Sequence, residues 1–337
     1  VAAFDLILLA AGAFLASLGA TRLVLGWLLH RQILDLPNER SSHVRPTPRG
    51  GGLAITPVAL ALLAGLGLLD FLPVGWMAVL AAAAGLLALS WLDDRKGLPA
   101  RLRLAAHLGA AALGLAVMPP DALIFQALLP LWADRLVALL AWGWFINLYN
   151  FMDGIDGITG IETASIGLGL GILALAQGND SFLAPGVVLA AVAAGFLVWN
   201  WHPAKLFLGD SGSVPLGYLL GWLLLVAAAQ GLWLPALVLP LYYLADATIT
   251  LGRRALRREA LWQAHRQHFY QQAAARIGHA RVSASVLACN LALAGAALVG
   301  LLSGPLEGVA LAVLVTALFL ALLRRWARPG AMRPMEK

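Results

Sequence analysis

The sequence predicts an all-α polytopic integral membrane protein of about ten or eleven transmembrane helices with cytoplasmic active-site loops. Three observations lead there. The 337 residues are 61% hydrophobic and only 12% charged, where a soluble domain averages roughly 45–50% apolar and about 25% charged. Apolar runs near the length of a bilayer span recur along the whole chain. The connections between them alternate between basic and almost uncharged. One membrane-embedded domain over 1–337 follows, with the polar motifs in 35–281 and the last spans and a tail in 282–337. The net charge of +6 does not indicate nucleic acid, because the basic residues fall in blocks between apolar runs. A single cysteine, Cys289, excludes an intrachain disulfide and a Cys-based metal site.

The first run, 4–29, is too long and ends too polar for a cleaved signal peptide, and is taken as the first span. Further candidate spans lie at 51–69, 74–92, 104–118, 131–149, 161–177, 183–201, 214–229, 232–251, 282–302 and 306–323. The stretch 119–131 is apolar but short and flanked by prolines, so it is expected as a re-entrant or interfacial piece and not as a span. Connections 30–50, 93–103, 150–160, 202–213 and 252–281, with the tail from Arg324, hold nearly all of the 23 Lys and Arg. The intervening connections carry Asp70, Asp121, Asp134, Asp180 and Glu307, with Arg135 as their basic residue. The positive-inside rule therefore puts the charged side in the cytoplasm, the N-terminus outside and the C-terminus inside. An odd number of spans agrees.

Every polar motif falls on that charged side. The central one is Asn147-Leu-Tyr-Asn150-Phe-Met-Asp153-Gly-Ile-Asp156-Gly157. If the helix continues, its three-residue spacing keeps the four polar groups roughly on one side. Two carboxylates so close are costly without a cation or strong donors between them. Asp35 through His43 and Arg45 to Arg49-Gly-Gly-Gly52 is barred from regular helix by its prolines. Its glycine run, opening a helix beside Arg49, has the makings of an anion site, or of a plain positive-inside loop. Asp93 and Asp94 point about 100° apart on a helix, so one is a ligand or base while the other orients a neighbouring cation, unless both simply pair with Arg95 and Lys96. Lys205-Leu-Phe207-Leu-Gly-Asp210-Ser-Gly-Ser213 offers a carboxylate and two hydroxyls at a helix start. That set suits a hard cation or a phosphate, or serves as an ordinary N-cap. Asp246, inside a span, is placed to pair with Arg253 or Arg254, or to take part in chemistry. His265-Arg266-Gln267-His268 puts two imidazoles three residues apart beside a phosphate path, or on a basic helix lying on anionic lipid.

Taken together, these motifs resemble the polyprenyl-phosphate N-acetylhexosamine-1-phosphate transferase superfamily. Asp93-Asp94, Asn150-Phe-Met-Asp153-Gly-Ile-Asp156-Gly, Phe207-Leu-Gly-Asp210-Ser-Gly-Ser and His265-Arg-Gln-His268 occur together and in this order. The stretch ending at His43, Arg-Pro-Thr-Pro-Arg49-Gly-Gly-Gly, and His268-Phe-Tyr-Gln look most like the bacterial branch that initiates O-antigen synthesis (the WecA and WbpL type). The peptidoglycan-precursor branch carries three contiguous histidines, and their absence here argues against a muramyl-pentapeptide donor. The resemblance implies transfer of a sugar-1-phosphate from a UDP-sugar to undecaprenyl phosphate at the bacterial inner membrane, with UMP released. It implies Asp210 as a ligand of Mg²⁺, with Mn²⁺ a substitute, and Asp93 as base or phosphate-orienting group with Asp94 beside it. Asn150, Asp153 and Asp156 would hold nucleotide and diphosphate, with Phe207 near the uracil. His265 and His268 would face diphosphate or sugar, and Lys205, Arg49, His43 and Arg266 would bind substrate. The partners implied are the UDP-sugar, undecaprenyl phosphate and membrane lipid, with a homodimer as an option. A transporter coupling ions through carboxylates is the rival class. It expects acids at the bilayer midplane and repeated halves, whereas these acids gather at one face.

Overall fold

The computed structural model describes residues 3–37, 45–72, 75–260, 263 and 265–328, so His43 lies outside the described residues. Among them the chain forms thirteen α-helices and one two-stranded ribbon. In order these are α1 (Ala3–His30), β1 (Leu34–Asp35), β2 (Thr47–Pro48), α2 (Gly52–Leu68), α3 (Gly75–Lys96), α4 (Ala100–Ala116), α5 (Leu131–Phe151) and α6 (Ile158–Ala176). There follow α7 (Leu183–Asn200), α8 (Asp210–Ala229), α9 (Trp233–Val238), α10 (Leu241–Leu256), α11 (Phe269–Ile277), α12 (His279–Leu302) and α13 (Pro305–Trp326).

Each of the eleven apolar runs is helical. Seven helices, α1, α3, α6, α7, α8, α12 and α13, are long and apolar enough to cross a membrane. The protein is thus an all-α, multi-pass membrane protein. Large apolar side chains face outward along these helices, such as Leu23 (76% exposed), Ile172 (58%) and Leu291 (65%). Water would penalise such a surface and lipid does not. The run 232–251 is not one helix. It divides into α9 and α10 at Leu239–Pro240, where the proline ring has no N–H to continue the helical ladder. The stretch 119–130 forms no helix, and so no span, and folds over the start of α5. There the buried Asp134 accepts the N–H groups of Ile124 (3.3 Å) and Phe125 (2.9 Å). Arg135 donates to the carbonyls of Pro119 (2.7 Å) and Ala122 (2.9 Å).

Helix α8 is the axis of the bundle. Its 18-residue apolar stretch is 83% buried, against 17% for α1, as expected of a helix apolar on every side. Trp142 of α5 stacks on Tyr218 (4.6 Å) and Trp222 (5.7 Å) and donates its indole N–H to the Tyr218 carbonyl. The N-termini of α2 and α8 cross at Gly52 and Gly212, where a β-carbon on Gly52 would collide with the backbone of Ser211 and Gly212. Only glycine permits that approach, and it brings Arg49 to the start of α8.

Candidate active site

The site forms where α8 begins. Gly209 holds φ +75°, and a β-carbon there would press on the Asp94 carboxylate. The chain turns in this glycine-dependent conformation so that the first N–H groups of α8 point at α3. Asp94, in the last turn of α3, accepts the N–H groups of Asp210 (3.1 Å) and Ser211 (3.0 Å). Two otherwise unpaired helical donors and the positive end of the helix are thereby met by one carboxylate. Arg49 completes the group, with Nη2 lying 2.9 Å from Asp94 and 2.7 Å from Asp210.

Asp93 points elsewhere, as the 100° step along a helix requires. It accepts the Leu98 N–H and pairs with Arg103 at 3.0 Å. Arg103 then reaches back to Asp210 at 3.7 Å. The adjacent acids have thus divided: Asp94 clamps the start of α8, and Asp93 closes the turn into α4 and holds Arg103. Neither pairs within 4 Å with Arg95, whose guanidinium lies over the Trp91 ring, or with Lys96.

The glycine run after Arg49 does not cradle an anion. The N–H groups of Gly50 and Gly51 bond to the Phe207 carbonyl, and that of Gly52 bonds to Leu208. Phe207 returns its own N–H to Pro48. These donors, which an anion site would leave open, are consumed in a strand-like seam that ties the segment before α2 to the segment before α8. The ribbon of β1 and β2, pairing Leu34 with Pro48 and Asp35 with Thr47, continues the seam and brings Asp35 to 3.9 Å from Arg49.

The central motif splits because α5 ends at Phe151. Asn147 and Asn150 are on the helix, while Asp153 and Asp156 are on the loop beyond it, so the four groups do not share one helical face. Asn147 bonds to His107 and to the Gly143 carbonyl, and Asn150 accepts the Ser213 hydroxyl of α8 at 3.2 Å. Asp153 turns toward the Asp94–Asp210 cluster and accepts the Thr159 hydroxyl at 2.6 Å. Loss of water around its carboxyl pushes it up to about 7, with Asp210 and Asp94 adding to the rise and Thr159 and Arg49 opposing it. Asp156 turns away. It accepts His202 (2.6 Å) and the Ala204 N–H (3.2 Å) on one oxygen and faces His279 (3.2 Å) on the other. Burial raises its carboxyl, but the bonds from His279 and His202 outweigh that and hold it below the ordinary range. These three side chains have ligand atoms within 4.8 Å of one another.

At the far side, Asp246 does not pair with Arg253 or Arg254. It is fully buried and accepts His268 Nδ1 and the N–H groups of Phe269 and Tyr270, each at 3.1 Å. Asp246 therefore anchors the start of α11, and His268 is 2% exposed between it and the rest of the motif. His265 stacks on His268 at 4.9 Å. Burial first, then His268 and Arg254, bring its imidazole down to about 4. Tyr270 donates to the Phe151 carbonyl at 3.0 Å, which holds this segment beside the Asp153 loop. Lys205 lies over Trp199 at 5.4 Å, and Arg266 is exposed.

Several residues the motifs did not single out are built into the site. Arg103 bridges Asp93 and Asp210. Asn200 accepts the Gly157 N–H and donates to Leu206, joining two loops. His202 and His279 clamp Asp156. Glu162, fully buried in α6, accepts the Asn290 amide of α12 at 2.8 Å. A histidine followed by proline and a glutamate inside an apolar run were the only signals available for two of them.

Asp94, Asp153, Asp210 and Asp93 meet two guanidiniums, so negative charge is in excess. The donors are carboxylate oxygens, the set a hard cation such as Mg²⁺ prefers, and the residues present fit that ion. The fold is that of a membrane-embedded bundle carrying acids and guanidiniums together at one end. The family model for glycosyl transferase family 4 matches residues 76–228. A probable undecaprenyl-phosphate N-acetylglucosaminyl 1-phosphate transferase of Bacillus subtilis is 28% identical, over 71% of this chain and 69% of its own length. A decaprenyl-phosphate N-acetylglucosaminephosphotransferase of Mycolicibacterium smegmatis is 36% identical over 55% and 51%. A phospho-N-acetylmuramoyl-pentapeptide-transferase of Moorella thermoacetica is 39% identical over 32% and 33%. The matched region thus spans about half the length of the mycobacterial relative and a third of the last. Residues 76–228 of the chain are thus similar to glycosyl transferase family 4, in keeping with the superfamily that its motifs resemble.

Proposed function

We propose that this chain transfers a sugar-1-phosphate from a UDP-sugar to undecaprenyl phosphate, at the cytoplasmic face of a bacterial inner membrane, opening O-antigen or another cell-envelope glycan. The observation that carries the reading is the cluster of Asp94, Asp153 and Asp210 around Arg49 and Arg103 at the start of α8. The relatives' own names, each of a polyprenyl-phosphate or phosphosugar transferase, support it. The donor is of the N-acetylhexosamine or 6-deoxy-N-acetylhexosamine kind.

In this reading an oxygen of the lipid phosphate attacks the sugar-bearing phosphorus, the new O–P bond forms, and the bond to UMP breaks. A phosphate monoester is already largely dianionic at neutral pH, its second pKa being near 6. The protein therefore has positioning to do more than proton removal. Arg49 and Arg103 face the phosphoryl oxygens, and Asp94 and Asp93 hold those two guanidiniums in place. Asp210 and Asp153 would hold Mg²⁺, which when bound would supply charge neutralisation at the diphosphate. Asn150 with Ser213 and half-buried Phe207 line the nucleotide side, Lys205 and Arg266 reach phosphate from outside, and His265 approaches the sugar. Asp156 and His268 support loops and do not touch substrate.

Purified protein assayed for UMP release with undecaprenyl phosphate and a panel of UDP-sugars, with and without Mg²⁺, tests the proposal. Metal-dependent UMP release with one donor is expected, and none from the folded Asp210→Asn variant. Full activity in that variant removes the metal assignment. No UMP from any donor removes the transferase reading.

A further inference from the structure

A cavity of about 320 Å³ opens behind the 265–268 segment, at the same end of the bundle as the acidic cluster but separate from it. Its wall brings together Arg253 and Arg257 of the end of α10, Arg324 of the last turn of α13, and Phe269 of α11. Among the described residues none of these three arginines has a carboxylate within 4 Å. The adjacent Arg254 behaves differently: it takes Glu259 at 2.9 Å and the carbonyls of Ala260 and Gln263. Gln267 also holds Glu259, so the nearby acid is already engaged.

Arg253 lies over the Phe269 ring at 4.9 Å. Stacking of that kind fixes the guanidinium plane and leaves its N–H edge to donate. Three like charges held around one space repel each other, and a bound anion relieves that repulsion. The Thr250 hydroxyl and the Gln267 and Gln272 amides in the wall already donate within the protein. The guanidiniums are therefore the available donors, and their paired N–H geometry matches phosphate oxygens. Both α10 and α13 end here, one after a Pro-broken apolar run and one after a span, which places the cavity at headgroup depth. Leu256, between Arg253 and Arg257, is 86% exposed and offers an apolar surface beside the charges. Basic pockets at helix ends on the charged side of a membrane protein are suited to phospholipid headgroups.

We propose that this cavity is a phosphate site occupied by the headgroup of an anionic membrane phospholipid. Because Gln267 and Phe269 belong to both the cavity wall and the segment carrying His265 and His268, an occupant braces that segment. The test uses the full chain in nanodiscs of phosphatidylcholine with or without phosphatidylglycerol, and native mass spectrometry to count retained lipid. The wild type is expected to retain phosphatidylglycerol over phosphatidylcholine. Arg257→Gln with Arg324→Gln is expected to weaken that retention by on the order of twentyfold, since each basic residue near the surface is worth about a fivefold step. Arg276→Gln with Arg281→Gln, exposed arginines outside the cavity, serves as the control pair and is expected to leave retention unchanged. The charge-keeping pair Arg257→Lys with Arg324→Lys should retain part of the preference. A second arm adds inorganic pyrophosphate. If pyrophosphate binds the wild type but not the glutamine pair, while phosphatidylglycerol shows no preference, the same phosphate chemistry has a soluble source. Equal loss in the control pair, or no difference between wild type and the glutamine pair for either ligand, overturns the proposal.

Discussion

Replacing Asp94 by alanine separates a clamp from a purely chemical group. The side chain is 2% exposed, so water does not replace it once removed. Two N–H groups at the start of α8 lose a charged acceptor. A lost cap of this kind costs about 0.5–2 kcal/mol, and hydrogen bonds to charged groups contribute about 1.5–3 kcal/mol each. Arg49 keeps Asp210 at 2.7 Å, so the full cost of stranding a buried charge, about 3–5 kcal/mol, is not incurred. The two contacts are the cap itself, so the terms are not added; the loss expected is about 2–4 kcal/mol of stability, with transfer reduced at least a hundredfold because Arg49 loses one of the two carboxylates that fix it. Thermal unfolding in detergent with and without UDP-sugar, alongside UMP release, measures both. Asp94→Asn, which keeps one oxygen acceptor, should recover part of the stability and little of the activity. An Asp94→Ala protein that unfolds at the wild-type temperature would refute the clamp, whatever its activity.

Removing Asp246 by alanine is expected to free the start of α11. Amide exchange over 268–271 should rise at least tenfold, since three acceptor contacts vanish, and unchanged exchange would contradict the anchor. Asp153 sets a pH dependence in the metal-free protein. Its carboxyl is raised from the ordinary value to about 7, so the stability it contributes is present below about 4 and lost as pH rises through about 7. The slope in that window is at most about 1.4 kcal/mol per pH unit. Asp153→Asn should flatten it, read as melting temperature between pH 5 and 8. A slope that persists in the variant would locate the titration elsewhere.

The architecture was largely legible because it follows from local properties. Apolar runs of span length must be helical in lipid, where backbone groups have no water to bond, and all eleven runs are. The Pro-flanked stretch 119–131 was expected not to form a span for want of length, and residues 119–130 form no helix. The run 232–251 was read from its apolar character alone, which hid that Pro240 divides it into two helices.

What the sequence by itself determined is which residues are present at one end of the bundle. Each of the motifs ends a helix or begins one on the side where the arginines collect, and burial and charge alone bring them to that level. Which of them meet was decided by tertiary structure. Asp93 and Asp94 are neighbours in the chain, yet one closes its own turn through Arg103 and the other clamps a helix 116 residues away. The Arg49 glycines looked like an anion cradle until the 207–208 segment took up their N–H groups. Asp153 and Asp156, three apart, part company because α5 ends at Phe151 and the loop turns one toward α8 and the other toward His202 and His279. Spacing fixes direction along a single helix. It carries no information on the partner that another helix, crossing where two glycines allow it, will bring within hydrogen-bond reach.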